Sequence, residues 1–301
     1  MMGKKTEKKK ALAIIMQLPV ILLGIAVMVA FAANSVLCRL ALVRYGVDPG
    51  EVTGIRIVSG ALVLLPVFLW KTKGLVPISS KSIFPGLALL AYTYFFSIAY
   101  VRLDTGSGAL ILFGAVQVTM IGFSIIKGNI PSTKEWIGIM LAMAGLGYML
   151  FPGSAGPSLL GASLMAASGI AWGIYSFLGK RERDPIFSTA RNFLVAAPVG
   201  VFLILPQVQT IEPGNPGVLM AILSGALTSG LGYLLWYLLL DSITIPVAAV
   251  LQLSVPAIAA LGGVIFSDEQ ITSHFLIASG ITITGILLTI FGKKKVPSTQ
   301  S

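Results

Sequence analysis

The residues able to do chemistry are few, and they stand in apolar surroundings. Between Ile245 and Phe266 the chain carries no charge, yet it holds Pro246, Gln252, Ser254 and Pro256. At membrane depth a proline removes a backbone donor and an amide adds a group that lipid cannot satisfy, so such residues face protein or water. Pro256 also denies the carbonyl of Gln252, four residues back, its helical bond. A polar notch facing a small ligand would use this pattern. So would a helix-to-helix hydrogen bond, worth only about 0.6–2 kcal/mol. Gln117 and Asn34 carry the same two readings. Tyr92, Tyr94, Trp172, Tyr175, Tyr233 and Trp236 offer aromatic faces with polar tips, fit to stack on flat apolar or cationic groups. Tyr100 and Tyr237, nearer span ends, read instead as interface residues.

Two arginines are the costliest groups in the apolar segments, since a central Arg costs at least about 2.5–3.5 kcal/mol on insertion scales. A guanidinium fork matches a substrate carboxylate. Arg56 and Arg191 could also bond nearby carbonyls or loop acids, or snorkel to the headgroups. Their parallel placement in the two halves of the chain favours a structural or gating part, and Arg39 reads as a snorkelling residue. Asp268 and Glu269 read as caps of the last helix, whose start at Thr272 and Ser273 also signals one. No Asp or Glu lies clearly at mid-membrane, which weakens a carboxylate proton relay and leaves proton or ion coupling open. A single Cys38 and a single His274 exclude an internal disulfide and a multi-histidine metal site. No H-E-x-x-H, Walker A or G-x-S-x-G motif is present, so neither an enzymatic reaction nor a cofactor is expected.

The elements that must position these residues follow from composition. Of 301 residues 56% are hydrophobic and 11% charged, against about 25% charged in soluble domains, and the mean hydropathy is +0.92. That much apolar sequence needs a lipid bilayer as its solvent. Apolar runs near 17–43, 52–70, 83–101, 107–126, 136–151, 158–178, 187–206, 217–240, 245–266 and 274–292 predict ten spans. Gly138, Ala142 and Gly145 form a small-residue stripe for close helix packing. The first run holds Ala30-Phe31-Ala32, which resembles a signal cleavage site, but it is longer than a signal core of roughly 7–15 residues, so a retained helix is expected.

The net charge of +10 does not imply nucleic acid, because the basic residues lie at helix ends rather than on aromatic-interleaved patches. Sixteen of the 21 fall in the two tails and in the turns of one face. The positive-inside rule then puts both termini in the cytoplasm of an inner or plasma membrane protein.

The halves also resemble each other. Ala109 to Gln117 lies on Ala248 to Pro256, Ala32-Ala33-Asn34 on Ala171-Trp172-Gly173, and Asp48-Pro49 before Arg56 is matched by Asp184-Pro185 before Arg191. This predicts a basic tail at 1–10, repeats at 11–153 and 154–292, and a basic tail at 293–301. Five spans per repeat, an odd number, force the second copy to enter the membrane upside down. Such inverted repeats place a substrate site near the midplane.

These features resemble the drug/metabolite transporter superfamily, in particular its ten-helix exporters with two EamA-type repeats. The residues that carry the likeness are the Asp-Pro and Arg pairs, Ala171-Trp172-Gly173, Val255-Pro256-Ala257 through Gly262-Gly263, Ser267 to Thr272, and Gly280 with Gly285. The resemblance implies an all-α integral membrane fold and alternating-access export of amino acids, other small metabolites or drugs. It also implies a central cavity lined mainly by the first, third, fourth, sixth, eighth and ninth spans. A non-transporting membrane subunit or sensor is the alternative.

Overall fold

The computed structural model describes residues 2–72, 80–128, 130–150, 158–180, 182, 184–207, 214–243 and 245–291. Every regular element among them is helical. The helices are α1 (Met2–Arg39, extended by a π turn over Leu40–Arg44), α2 (Pro49–Thr72), α3 (Ser80–Tyr100), α4 (Thr105–Ile126) and α5 (Thr133–Leu150). The second half holds α6 (Leu159–Gly179), α7 (Pro185–Ile204), α8 (Pro216–Ser242), α9 and α10 (Ser273–Phe291). In α9 a 3-10 turn, Gln252–Ser254, joins Ile245–Leu251 to Val255–Ser267. Eight helices among the described residues are long and apolar enough to cross a bilayer, where the sequence predicts ten. α10 adds a shorter apolar stretch, Ser273–Thr289, and α5, which opens on Lys134 and Glu135, is not one of the eight. α1 begins inside the basic segment read as a tail, and 293–301 lies outside the described residues.

The Asp-Pro repeat has a local cause. Asp48 accepts the Gly50 N–H at 2.7 Å, and Asp184 accepts the Phe187 N–H at 3.1 Å. An N-cap carboxylate followed by proline in the first helical position suits a helix start, because it occupies an orphan donor and presets φ. Both copies therefore begin their second helix in the same way.

Each of three helices packs against its counterpart in the other half, and the pairing is antiparallel. Along α2 and α7, Gly54 meets Gly200 and Ile204 while Gly60 meets Phe193. On α5 and α10, Gly138 meets Gly285 and Thr289 while Gly145 meets Thr282, so the small-residue stripe is the seam of a tight helix pair. On α4 and α9, Gly106 meets Ala260 at one end and Gln252 reaches Met120 further along. Exchanging the halves also exchanges the remaining contacts: α3 with α6 becomes α8 with α1, and α3 with α7 becomes α8 with α2. Antiparallel pairing of equivalent helices is what a two-fold axis across the helices produces, and it is the geometry of an inverted repeat.

Candidate functional site

Where the halves meet, α1, α2, α3, α6, α8 and α9 send polar and aromatic side chains into one buried cluster. α1 contributes Phe31, Asn34 and Cys38, whose spacing of three and four residues puts them on one helix face. α8 contributes Ser224, Thr228, Ser229 and Tyr233. Ser224 and Ser229 are five apart and would diverge on an α-helix. They converge because residues Ser224–Leu231 form a π segment, whose bonds run from i to i+5. Asn34 Oδ1 collects all three hydroxyls, accepting from Ser224 at 2.7 Å, Thr228 at 3.2 Å and Ser229 at 3.4 Å, and its amide donates to Tyr92 Oη at 3.3 Å.

Arg56 stands in the middle of this cluster with 0% exposure. The sequence placed it about one turn into its helix, but α2 starts at Pro49, so Arg56 lies about 10 Å along the axis, at roughly 1.5 Å per residue. It neither snorkels nor meets a loop acid. Its Nε donates to Ser229 Oγ at 3.0 Å, its Nη1 to Cys38 Sγ at 3.6 Å, and its Nη2 to Tyr92 and Tyr233 hydroxyls at 3.0 and 2.7 Å. The guanidinium also lies over Phe96, 4.8 Å from the ring centroid. Gly225 makes the approach possible: a Cβ there would sit 2.7 Å from the Arg56 Cα. Among the described residues no carboxylate is in ion-pair range of Arg56.

The aromatic wall lies beside it. Trp172 packs 4.6 Å from Tyr233, 4.8 Å from Tyr92 and 5.3 Å from both Phe31 and Tyr175, centroid to centroid. Its indole N–H donates to Gln252 Oε1 at 2.7 Å, and Gln252 is itself fully buried. Trp236 packs against Phe31 and donates to Ser176 at 3.0 Å. The side chains close on themselves and leave about water-sized space between Phe31, Asn34, Tyr92, Trp172 and Tyr233.

Asn34, Tyr92, Trp172, Tyr175, Tyr233, Trp236 and Gln252 thus come together. Gln117 is buried on α4, with its Nε2 donor unpaired. Tyr94 is 38% exposed beside Phe95, and Ser254 is exposed, bonding the Leu251 carbonyl. Neither is at the centre. Pro256 occupies the first turn of Val255–Ser267, and the Gln252 carbonyl expected to be free accepts the Val255 N–H in the 3-10 turn. Pro246 stands in the first turn of Ile245–Leu251, and its side chain lies outside the described residues. Arg191 stays at the rim, 3.9 Å from Glu182 and over the Phe187 ring. Cys38, Phe96, Ser224 and Ser229 were not singled out by the sequence, although the Phe31-Asn34-Cys38 spacing points to the α1 face.

Three peripheral expectations change. Tyr100 and Tyr237 are buried, bonding the carbonyls of Thr105 and Tyr175, so they are not interface residues. Arg39 does not snorkel: its Nη1 donates to the Tyr100 carbonyl at 2.6 Å, its Nε meets Glu269 at 3.2 Å, and Asp104 lies 3.6 Å away. Glu269 does not cap α10 as expected, since Thr272 accepts the Phe275 N–H there. Glu269 instead accepts the Thr105 N–H and hydroxyl, tying the ends of α1, α3, α4 and α9 together. At the opposite end Lys180 donates to the backbone carbonyls of Leu240 and Asp241.

Comparison with known proteins agrees with this architecture. An uncharacterized protein of Pseudomonas aeruginosa is 40% identical over 271 residues, covering 90% of this chain and 94% of its own. The threonine/homoserine exporter RhtA of Escherichia coli is 27% identical over 298 residues, covering 93% and 94%. A solved protein structure superposes with a TM-score of 0.65 at 16% identity, covering 91% of this chain and 99% of its own. The EamA-like transporter family matches residues 18–151 and again 159–291, one copy for each half. The chain belongs to the EamA-like transporter family, a multi-pass membrane protein built from two copies of its repeat.

Proposed function

We propose that this protein is a secondary exporter of small metabolites, namely amino acids, aromatic ones included, or related amphipathic compounds, across the inner membrane, working by alternating access with both termini in the cytoplasm. The observation that carries the proposal is the closed polar and aromatic centre at the junction of two antiparallel halves. A packing core would be expected to minimise buried polar groups, because each must find a partner. Here Arg56, Asn34, Tyr92, Tyr233, Trp172 and Gln252 are gathered where an inverted-repeat transporter binds its cargo. Rocking of one half against the other would open the cluster to one face at a time. The likeness to a threonine/homoserine exporter directs the first choice of substrates to threonine, homoserine and aromatic amino acids.

Purified protein in liposomes, loaded with radiolabelled amino acids and assayed with and without an imposed pH gradient, is expected to move at least one of them faster than empty vesicles. Absence of flux for the whole panel, with binding retained in a thermal-shift assay, would make the protein a non-transporting sensor instead.

A further inference from the structure

We infer that Arg56 is the anchor for a substrate carboxylate, so that the cargo is defined by a free carboxylate and excludes the corresponding amides, esters and amines. The inference deepens the exporter reading above and rests on it. Buried charges are ordinarily paired with an opposite charge, since leaving one unpaired in low dielectric is costly. Arg56 is fully buried and, among the described residues, meets hydroxyls, a thiol and ring faces but no carboxylate. Arg191, the corresponding arginine of the second half, sits at the rim and has Glu182 beside it. The unpaired member of the two is therefore the one at the junction of the halves.

The surroundings fit a carboxylate that arrives with the cargo. Of the five guanidinium N–H donors, those of Nη1 find among the described residues the Cys38 sulfur alone, at 3.6 Å, a weak acceptor that a carboxylate oxygen would readily outcompete. The Tyr92 and Tyr233 hydroxyls, 3.0 Å apart, accept from Arg56. Hydroxyl hydrogens rotate, so both can donate to a bound carboxylate without moving their rings. Phe96 and Tyr92 lie over the guanidinium, 4.8 and 5.3 Å from its carbon, so a carboxylate would have to reach it at its edge, on the Nη1 side, as the halves rock apart. The ammonium of an amino acid would then lie toward the rings of Phe31, Tyr92, Trp172 and Tyr233, which line the small space in the cluster and can attract a cation.

The test uses the wild-type protein first. In liposomes, unlabelled L-threonine and L-phenylalanine, their amides, methyl esters and decarboxylated amines compete against whichever labelled amino acid is carried. The free acids are expected to compete at least about tenfold more strongly than the other three forms. Arg56→Gln, checked for folding by thermal unfolding and monodispersity, is expected to lose that preference, and Arg56→Lys to keep part of it. Equal competition by amide and acid overturns the inference while leaving the exporter reading intact, as does an Arg56→Gln variant with unchanged preference. Flux of no amino acid by the wild type overturns the exporter reading and this inference with it. If Arg56→Gln does not fold, Arg56→Lys is read in its place: a carboxylate preference as strong as that of the wild type overturns the anchor, and a weakened one supports it.

Discussion

Trp172 and Gln252 show how much one bond decides at the scale of residues. The indole N–H and the amide oxygen are both buried and satisfy each other at 2.7 Å. Trp172→Phe keeps a stacked ring but strands Gln252 Oε1, and a buried unsatisfied polar group costs about 1–3 kcal/mol. Lower unfolding stability by that amount in detergent, together with weakened substrate binding, is expected. Tyr94→Phe and Ser254→Ala, at positions away from the centre, should stay within about 0.5 kcal/mol of wild type and leave flux unchanged. Loss of flux in either would put those residues back in the site. The sequence could mark Trp172 and Gln252 because polar or amphipathic groups in a span need partners. It could not rank them above Tyr94, because which side of α3 faces inward depends on neighbours that the local pattern does not name.

Helices, at the next scale, are placed by small residues and by charges at their ends. Gly225 lets the π segment of α8 touch α2 at Arg56. Gly225→Ala should push the two apart, lowering stability by about 1–3 kcal/mol as an overpacked contact and disturbing the Arg56 to Ser229 bond. Normal stability with normal flux would show that the approach has slack. At one end of the bundle, Arg39 and Glu269 lock α1 to the α3–α4 and α9–α10 turns, whereas at the other end, among the described residues, Lys180 bonds backbone carbonyls and the Arg191–Glu182 pair joins only the α6–α7 turn to α7. Opening at the Glu269 end should therefore be the more strongly restrained. Cys38, the single cysteine and fully buried beside Arg56, reports such opening. Glu269→Gln is expected to raise its labelling rate by a small water-soluble thiol reagent severalfold. An unchanged rate would show that the ion pair does not hold this end shut.

For the whole molecule, the excess of Lys and Arg in the tails and in the turns of one face predicts that both ends of the chain share the cytoplasmic side. Reporter tags fused at either end should become accessible to a membrane-impermeant quencher only after cells are permeabilised, and a tag quenched in intact cells would reverse the orientation. The sequence by itself determined the lipid environment, the helical class, the helix positions to within a few residues and the doubled organisation, while its count of ten spans exceeds the eight helices long and apolar enough to cross a bilayer among the described residues. These follow from local hydropathy, from turn residues and from the Asp-Pro starts that cap α2 and α7. Only the tertiary structure decided that Arg56 is central while Arg191 is peripheral. It alone drew Arg39 to Glu269 and brought Ser224, Ser229 and Asn34 onto one point. The physical reason is that these pairings join segments some 170 to 230 residues apart. They depend on close approach at glycines and on the wider winding of one helical segment, neither of which leaves a periodic trace in the chain.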